Sequence, residues 1–238
     1  MKRLLILFLL INSVQISAQV STVYVSGQSM SEHFRMHPSS ENVDTKILGS
    51  PYADEHWTTG TISFKNISQI VSDHLRLNAS TNELEVFNKG KKMAVIEPFN
   101  VKEVKVGDRE YIYAFYIYEY GKSFYISSSY FHVICKGKIE LLKRYYVRIV
   151  NNTYVSNYMG GGGDGRMHYS VKSEYFYRTN GDEAARELGG KKKDILKLMA
   201  DCKDKIEEFI KENKINVNND EDVEEIINYY NSLCIESQ

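Results

Sequence analysis

An antiparallel β-rich core followed by a helix hairpin, an α+β arrangement, is the fold class this chain predicts. Three observations carry it. Between residues 47 and 178, runs of alternating apolar and polar residues are separated by turns built on Gly, Asn and Asp. The chain has 18 tyrosines against 3 prolines, a balance that favours half-buried strands. Beyond these strands the apolar period changes from two to about 3.6.

The chain opens on a segment with the layout of a secretory signal peptide, residues 1–18. Lys2 and Arg3 form a positive start, Leu4 to Ile11 an apolar run, and Ile16-Ser17-Ala18 a small-residue cleavage site before Gln19. The apolar run is too short for a permanent membrane span, and no later stretch is long and apolar enough for a transmembrane helix. None of the three cysteines, Cys135, Cys202 and Cys234, follows the run closely enough to carry a lipid. The expectation is an exported chain, periplasmic, outer-membrane-associated or extracellular.

Residues 19–46 read as a short strand (20–25) and an irregular extension. The β-rich core, 47–178, follows. Residues 59–65 alternate, with Ile62 and Phe64 on one face. Residues 74–77 and 83–87 flank a hairpin turn at Asn78–Asn82. Strands follow at 93–96, 101–106, 110–120, 124–135 and 138–150. In the strand at 111–118 both faces are apolar or aromatic, so it is expected to be central and covered on both sides. In 138–150, Ile139, Leu141, Tyr145, Val147 and Ile149 define a buried face and Lys138, Glu140, Arg144 and Arg148 a wet one, as in a sheet packed on a single side. A last strand spans 169–178. The topology is left open between a meander, a sandwich and an open barrel.

The helical hairpin, 179–238, is expected to pack on this core. Ile195, Met199, Cys202, Ile206 and Phe209 draw one stripe along a helix at 191–213. A second helix, 220–233, carries Val223, Ile226, Ile227, Tyr230 and Leu233, with Asn219 placed to cap it. Cys202 and Cys234 could pair only if Cys234 leaves its helix or the two axes converge. An amphipathic, charged hairpin of this kind does not belong in the wall of a transmembrane β-barrel.

Composition limits the functional classes. The hydrophobic share of 42% supports a real core. Loss of Lys2 and Arg3 takes 30 basic residues to 28 against 31 acidic ones, a net charge of −3, which leaves no overall field for nucleic acid. The cysteine spacings match no zinc pattern, and His33 and His37 lack the Glu that a zinc-protease helix needs after its first His, so no metal and no cofactor is expected. The Gly160-Gly161-Gly162-Gly163 run lacks the Lys-Ser/Thr of a phosphate-binding loop and reads as a flexible connection. No nucleophile elbow is present. Asp54, Glu55 and His56 form the one cluster that could do acid–base work, and the neighbouring Trp57 could stack a ligand. A surface turn uses the same residue types, and that is the preferred reading.

Three segments resemble a diffuse group of exported Bacteroidetes-type proteins with no assigned function. They are Ser50-Pro51-Tyr52, the stretch from Leu75-Arg76-Leu77-Asn78 through Asn82-Glu83-Leu84-Glu85-Val86, and Ile226-Ile227-Asn228-Tyr229-Tyr230-Asn231. The resemblance implies an envelope location and carries over no site residue. The resulting expectation is a non-catalytic envelope protein that binds a protein or glycan or serves as an accessory component. The alternative is an envelope hydrolase using Asp54, Glu55 and His56.

Overall fold

The computed structural model describes residues 34–36, 47–65, 70–151, 166–217 and 219–235. The expected signal segment, the strand at 20–25, His33, His37 and the four-glycine run lie outside them. The core is β-rich and the helices follow it, as the sequence predicts. Among the described residues, twelve strands share one mixed sheet with two parts.

The first part is an antiparallel sheet in the order β1-β6-β5-β4-β3-β7-β8. Its strands are β1 (Phe34–Met36), β3 (Thr58–Phe64), β4 (Ile70–Asn78), β5 (Glu83–Asn88), β6 (Lys91–Val95), β7 (Val101–Val106) and β8 (Arg109–Tyr120). Ile62, Phe64, Leu75, Leu77, Leu84, Val86 and Val104 fall on its inner face and are buried, as their period of two requires. β1 corrects the expectation of an irregular extension. Three residues there pair with Met93–Val95, a strand too short to leave an alternation in the sequence.

The second part closes on itself. β8 pairs with β9 (Ser123–Cys135), β9 with β10 (Ile139–Asn151), and β10 with β11 (Met167–Thr179). β11 pairs with β12 (Ala184–Glu187), and β12 returns parallel to β8 through Ala184–Arg186. Five strands thus form a ring whose interior holds Ala114, Tyr116, Phe131, Val133, Leu142, Phe176 and Ala185. Ring closure corrects the single-sided reading of β10. Leu142 is buried on the face expected to be wet, and Arg144 beside it donates to the Tyr116 hydroxyl and pairs with Glu174. β2 (Ile47–Leu48) adds parallel to the start of β11.

The Asn78–Asn82 turn joins the two parts. Asn82, at φ 55°, accepts from the Tyr130 N–H at 3.0 Å and the Ser129 hydroxyl at 2.9 Å. A turn between β4 and β5 is thereby pinned to the edge of β9.

Among the described residues, three helices follow the strands: α1 (Lys192–Leu198), α2 (Lys203–Glu212) and α3 (Asp220–Ile235). The single helix expected at 191–213 is broken by a 3-10 turn at Ala200–Cys202. The break sets Asp201 against both Lys138 Nζ (2.5 Å) and the Tyr230 hydroxyl (2.9 Å). Ile195, Met199, Ile206, Ile210, Val223, Ile226 and Ile227 form one core with Ile139 and Leu141 of β10. Phe209 stacks on Tyr229 at 4.0 Å, so α2 and α3 pack on each other as well as on the ring. Cys135 and Cys202 are free thiols. The Cys234 side chain lies outside the described residues, as do those of Asp220 and Glu221. No helix among the described residues is long and apolar enough to cross a membrane.

Candidate functional site

Asp54, Glu55 and His56 lie in the connection from β2 to β3. Asp54 Oδ1 accepts from the His56 N–H at 3.1 Å, which makes the segment an Asx turn. Glu55 is exposed, and the His56 side chain is 90% exposed although its Nδ1 lies 3.5 Å from Asp54 Oδ1. Asp54 Oδ2 lies 3.9 Å from Arg109. The cleft beside Asp54, lined also by Thr58, Arg76, Arg109 and Tyr111, encloses about 80 Å³. Pockets for organic ligands run to roughly 300–1,000 Å³. The three side chains thus do not converge on a space that holds a substrate.

Trp57 is committed elsewhere. The Arg76 guanidinium sits 3.4 Å from the Tyr52 ring and 3.8 Å from the Trp57 ring, a cation held between two aromatic faces. Arg76 Nε donates to Glu85 at 3.2 Å. Glu85 also accepts from Asn78 Nδ2 at 3.1 Å and faces Lys92 Nζ at 3.6 Å, with its side chain fully buried. Burial and the neighbouring Glu85 raise the Tyr52 pKa. The network clamps residues 51–57 onto the outer face of β4 and β5. One face of the Trp57 ring is thereby taken up by Arg76.

A second polar centre lies where β8, β9 and β10 meet. The His132 ring packs 5.4 Å from that of Tyr111 and 6.4 Å from that of Tyr145. Its buried Nδ1 has no hydrogen-bond partner among the described residues. Burial, with Arg109 and Lys143 nearby, lowers its pKa to about 4, while burial pushes Tyr111 up to about 12. A neutral imidazole between two phenol rings suits packing, and among the described residues no carboxylate shares a hydrogen bond with it. Among the described residues, no group of His, Cys, Asp and Glu side chains is placed to hold a metal ion.

The surface that departs most from an ordinary protein exterior is the outer half of the β8–β9 hairpin. Register pairs Phe115 with Ser128, Ile117 with Ile126, Tyr118 with Tyr125 and Glu119 with Phe124. Cross-strand partners share a face, so Phe115, Ile117, Phe124 and Ile126 stand on one side and Tyr118 and Tyr125 on the other. Phe124 is 74% exposed, Ile126 71% and Tyr120 75%. Phe99, itself exposed, packs 4.8 Å from both Tyr113 and Phe115 and extends the apolar side. Tyr118 stacks on Tyr125 at 5.5 Å.

This hairpin corrects the expectation that the strand at 111–118 is covered on both sides. Coverage holds for Tyr111, Ala114 and Tyr116, which are buried, and fails at Phe115 and Tyr118. The sequence signal was present in the two-faced run Tyr111-Ile112-Tyr113-Ala114-Phe115-Tyr116-Ile117-Tyr118. Length separates the two readings. The strand of 12 residues runs on past Ile117, the last residue that β12 pairs, to Tyr120. Comparison with protein-family models, with curated proteins and with solved structures gives no match to this chain.

Proposed function

We propose that this chain is an exported, non-catalytic binding or accessory component of a bacterial envelope, and that the outer half of the β8–β9 hairpin is its working surface. The exposure of Tyr120, Phe124 and Ile126 on one projecting hairpin carries the reading. Exposed apolar surface of this kind, here on both faces of the hairpin, is what an interaction site presents to its partner. The resemblance to exported proteins and the signal-like start support the location. The Asx-turn geometry of Asp54, Glu55 and His56 gives the hydrolase alternative no support.

Capture from native envelope extracts tests the proposal with three proteins: the wild type, a Tyr120→Ser/Phe124→Ser/Ile126→Ser variant, and an Asp54→Ala/Glu55→Ala/His56→Ala variant. Aromatic and apolar anchors at the centre of an interface contribute about 2 kcal/mol each. The hairpin variant should therefore lose its bound material by well over tenfold, and the turn variant should keep it. Equal recovery with the hairpin variant would refute the assignment, as would loss confined to the turn variant.

A further inference from the structure

We propose that two copies of this chain pair through the outer edge of β9, antiparallel about a two-fold axis at Tyr125. The inference rests on the reading above that the β8–β9 hairpin is the working surface, and it names the partner. β8 pairs with β9 without interruption from Tyr111–His132 to Tyr120–Ser123. The opposite edge of β9 changes hands along its length. β10 takes it as far as the Lys143–His132 pair and then departs. The Asn82 carboxamide takes the next stretch, accepting from the Tyr130 N–H at 3.0 Å and donating to the Ser128 carbonyl at 3.4 Å. From Ser127 to Ser123 this edge pairs with no described strand, and Ser123, Phe124, Tyr125 and Ile126 are all exposed.

Asn82 also fixes the phase of this edge. Ser128 and Tyr130 turn backbone groups away from β8, and these groups alternate along a regular strand, so the next residues to do the same are Ile126 and Phe124. With the two-fold axis at Tyr125, Phe124 of each copy lies opposite Ile126 of the other and exchanges both N–H···O bonds with it. Every outward backbone group of the open stretch is then satisfied. An axis at Ile126 would instead set Phe124 against Ser128, whose carbonyl Asn82 already holds. Two further properties select a second copy. Apolar side chains stand on both faces of the hairpin, Phe124 and Ile126 on one and Tyr125 on the other. A partner laid against one face leaves the other uncovered, whereas a strand added at the edge reaches both. It sets Phe124 beside Ile126 and Tyr125 beside Tyr125, which are favourable cross-strand pairs. Natural sheet edges are guarded by charge or proline. From Ser123 to Phe131 this strand carries neither, so two identical edges meet without repulsion, as an isologous contact requires.

Sedimentation equilibrium of the mature chain tests this, and the dimer should predominate by about 200 μM. Tyr125→Lys and Tyr125→Glu each set like charges opposite one another and should weaken the dimer at least about tenfold. An equimolar mixture of the two variants should restore it to within about threefold of the wild type. Tyr125→Cys should form a covalent dimer on oxidation, because Cα atoms of a non-hydrogen-bonded antiparallel pair lie about 4.5 Å apart, within disulfide range. Tyr118→Cys lies on the same face one strand away, about 14 Å from its counterpart, and should cross-link no more than the wild type with its own thiols. Far-UV circular dichroism matching the wild type verifies each variant. A wild type that stays monomeric would overturn the proposal. So would a dimer that Tyr125→Lys leaves intact, a mixture that stays monomeric, or cross-linking of Tyr118→Cys as strong as that of Tyr125→Cys. Hairpin-dependent envelope capture by a monomeric chain would overturn the second copy and leave the binding surface standing. A monomer whose envelope capture ignores the hairpin would remove both readings.

Discussion

His132 makes the stability of this protein sensitive to mild acid. Its imidazole titrates near 4 in the folded chain against an ordinary value of about 6.5, because burial and the charges of Arg109 and Lys143 disfavour the imidazolium. Asp108 acts the other way and offsets part of this. As pH falls, the unfolded chain takes up the proton first. Stability from this group is therefore complete above about pH 6.5, declines below it, and stops declining below about pH 4. Between about pH 7.5 and about pH 5 the difference amounts to about 2 kcal/mol, with a limit of about 3 kcal/mol at lower pH. His132→Phe keeps a ring between Tyr111 and Tyr145 and removes the titration. Urea unfolding of both proteins at the two pH values isolates the effect, since every carboxylate contributes equally to each. The wild type should lose about 2 kcal/mol more than the variant on acidification. Equal losses would show that His132 is hydrated and protonated normally, and would refute the account of a desolvated imidazole.

Two further expectations rest on buried polar contacts. Glu85→Ala should destabilise by about 3–5 kcal/mol, because it leaves Arg76 and Asn78 desolvated without an acceptor. Glu85→Gln should cost clearly less, and emission from the sole tryptophan, stacked on Arg76, should shift in the alanine variant; identical losses for the two variants would contradict the charge argument. Asn231 accepts from the Ile139 N–H at 3.0 Å and donates to the Ile139 carbonyl at 2.8 Å, so Asn231→Ala should cost about 2–4 kcal/mol in urea unfolding. A loss below about 1 kcal/mol would mean that water replaces both bonds.

Much of the fold was legible because burial is one-sided along most of its length. β3 alternates cleanly, and β3, β5 and β7 all appear within a residue or two of their expected bounds. Long-range pairing was not legible. β12 is four residues, Ala-Ala-Arg-Glu, with no alternation of its own, and it is a strand because β8 and β11 each offer it an edge. The break at Ala200–Cys202 is equally tertiary. A continuous helical stripe runs through it, and Lys138 and Tyr230 supply Asp201 with partners that no local pattern encodes. For the candidate site, the aromatic content of β8 is plain in the sequence, and the exposure of Phe115 and Tyr118 is not. A run apolar on both faces describes a buried strand and a partly exposed hairpin equally well, and only the extent of the covering elements distinguishes them.

The ring also sets an order of assembly. The β3–β4, β4–β5, β5–β6, β7–β8, β8–β9 and β10–β11 pairings join neighbours in the chain and need little loop closure. The closing contact joins Phe115, Tyr116 and Ile117 to Ala184, Ala185 and Arg186, and it demands the largest loop in the ring. A chain emerging amino end first completes the antiparallel sheet and both long hairpins while β8 still lacks its parallel neighbour. Until β12 arrives, the edges of β8 and β11 stand open and Phe176 lacks its cover. The exposure of open strand edges during synthesis is thereby concentrated in the interval between completion of β11 and capture of four short residues.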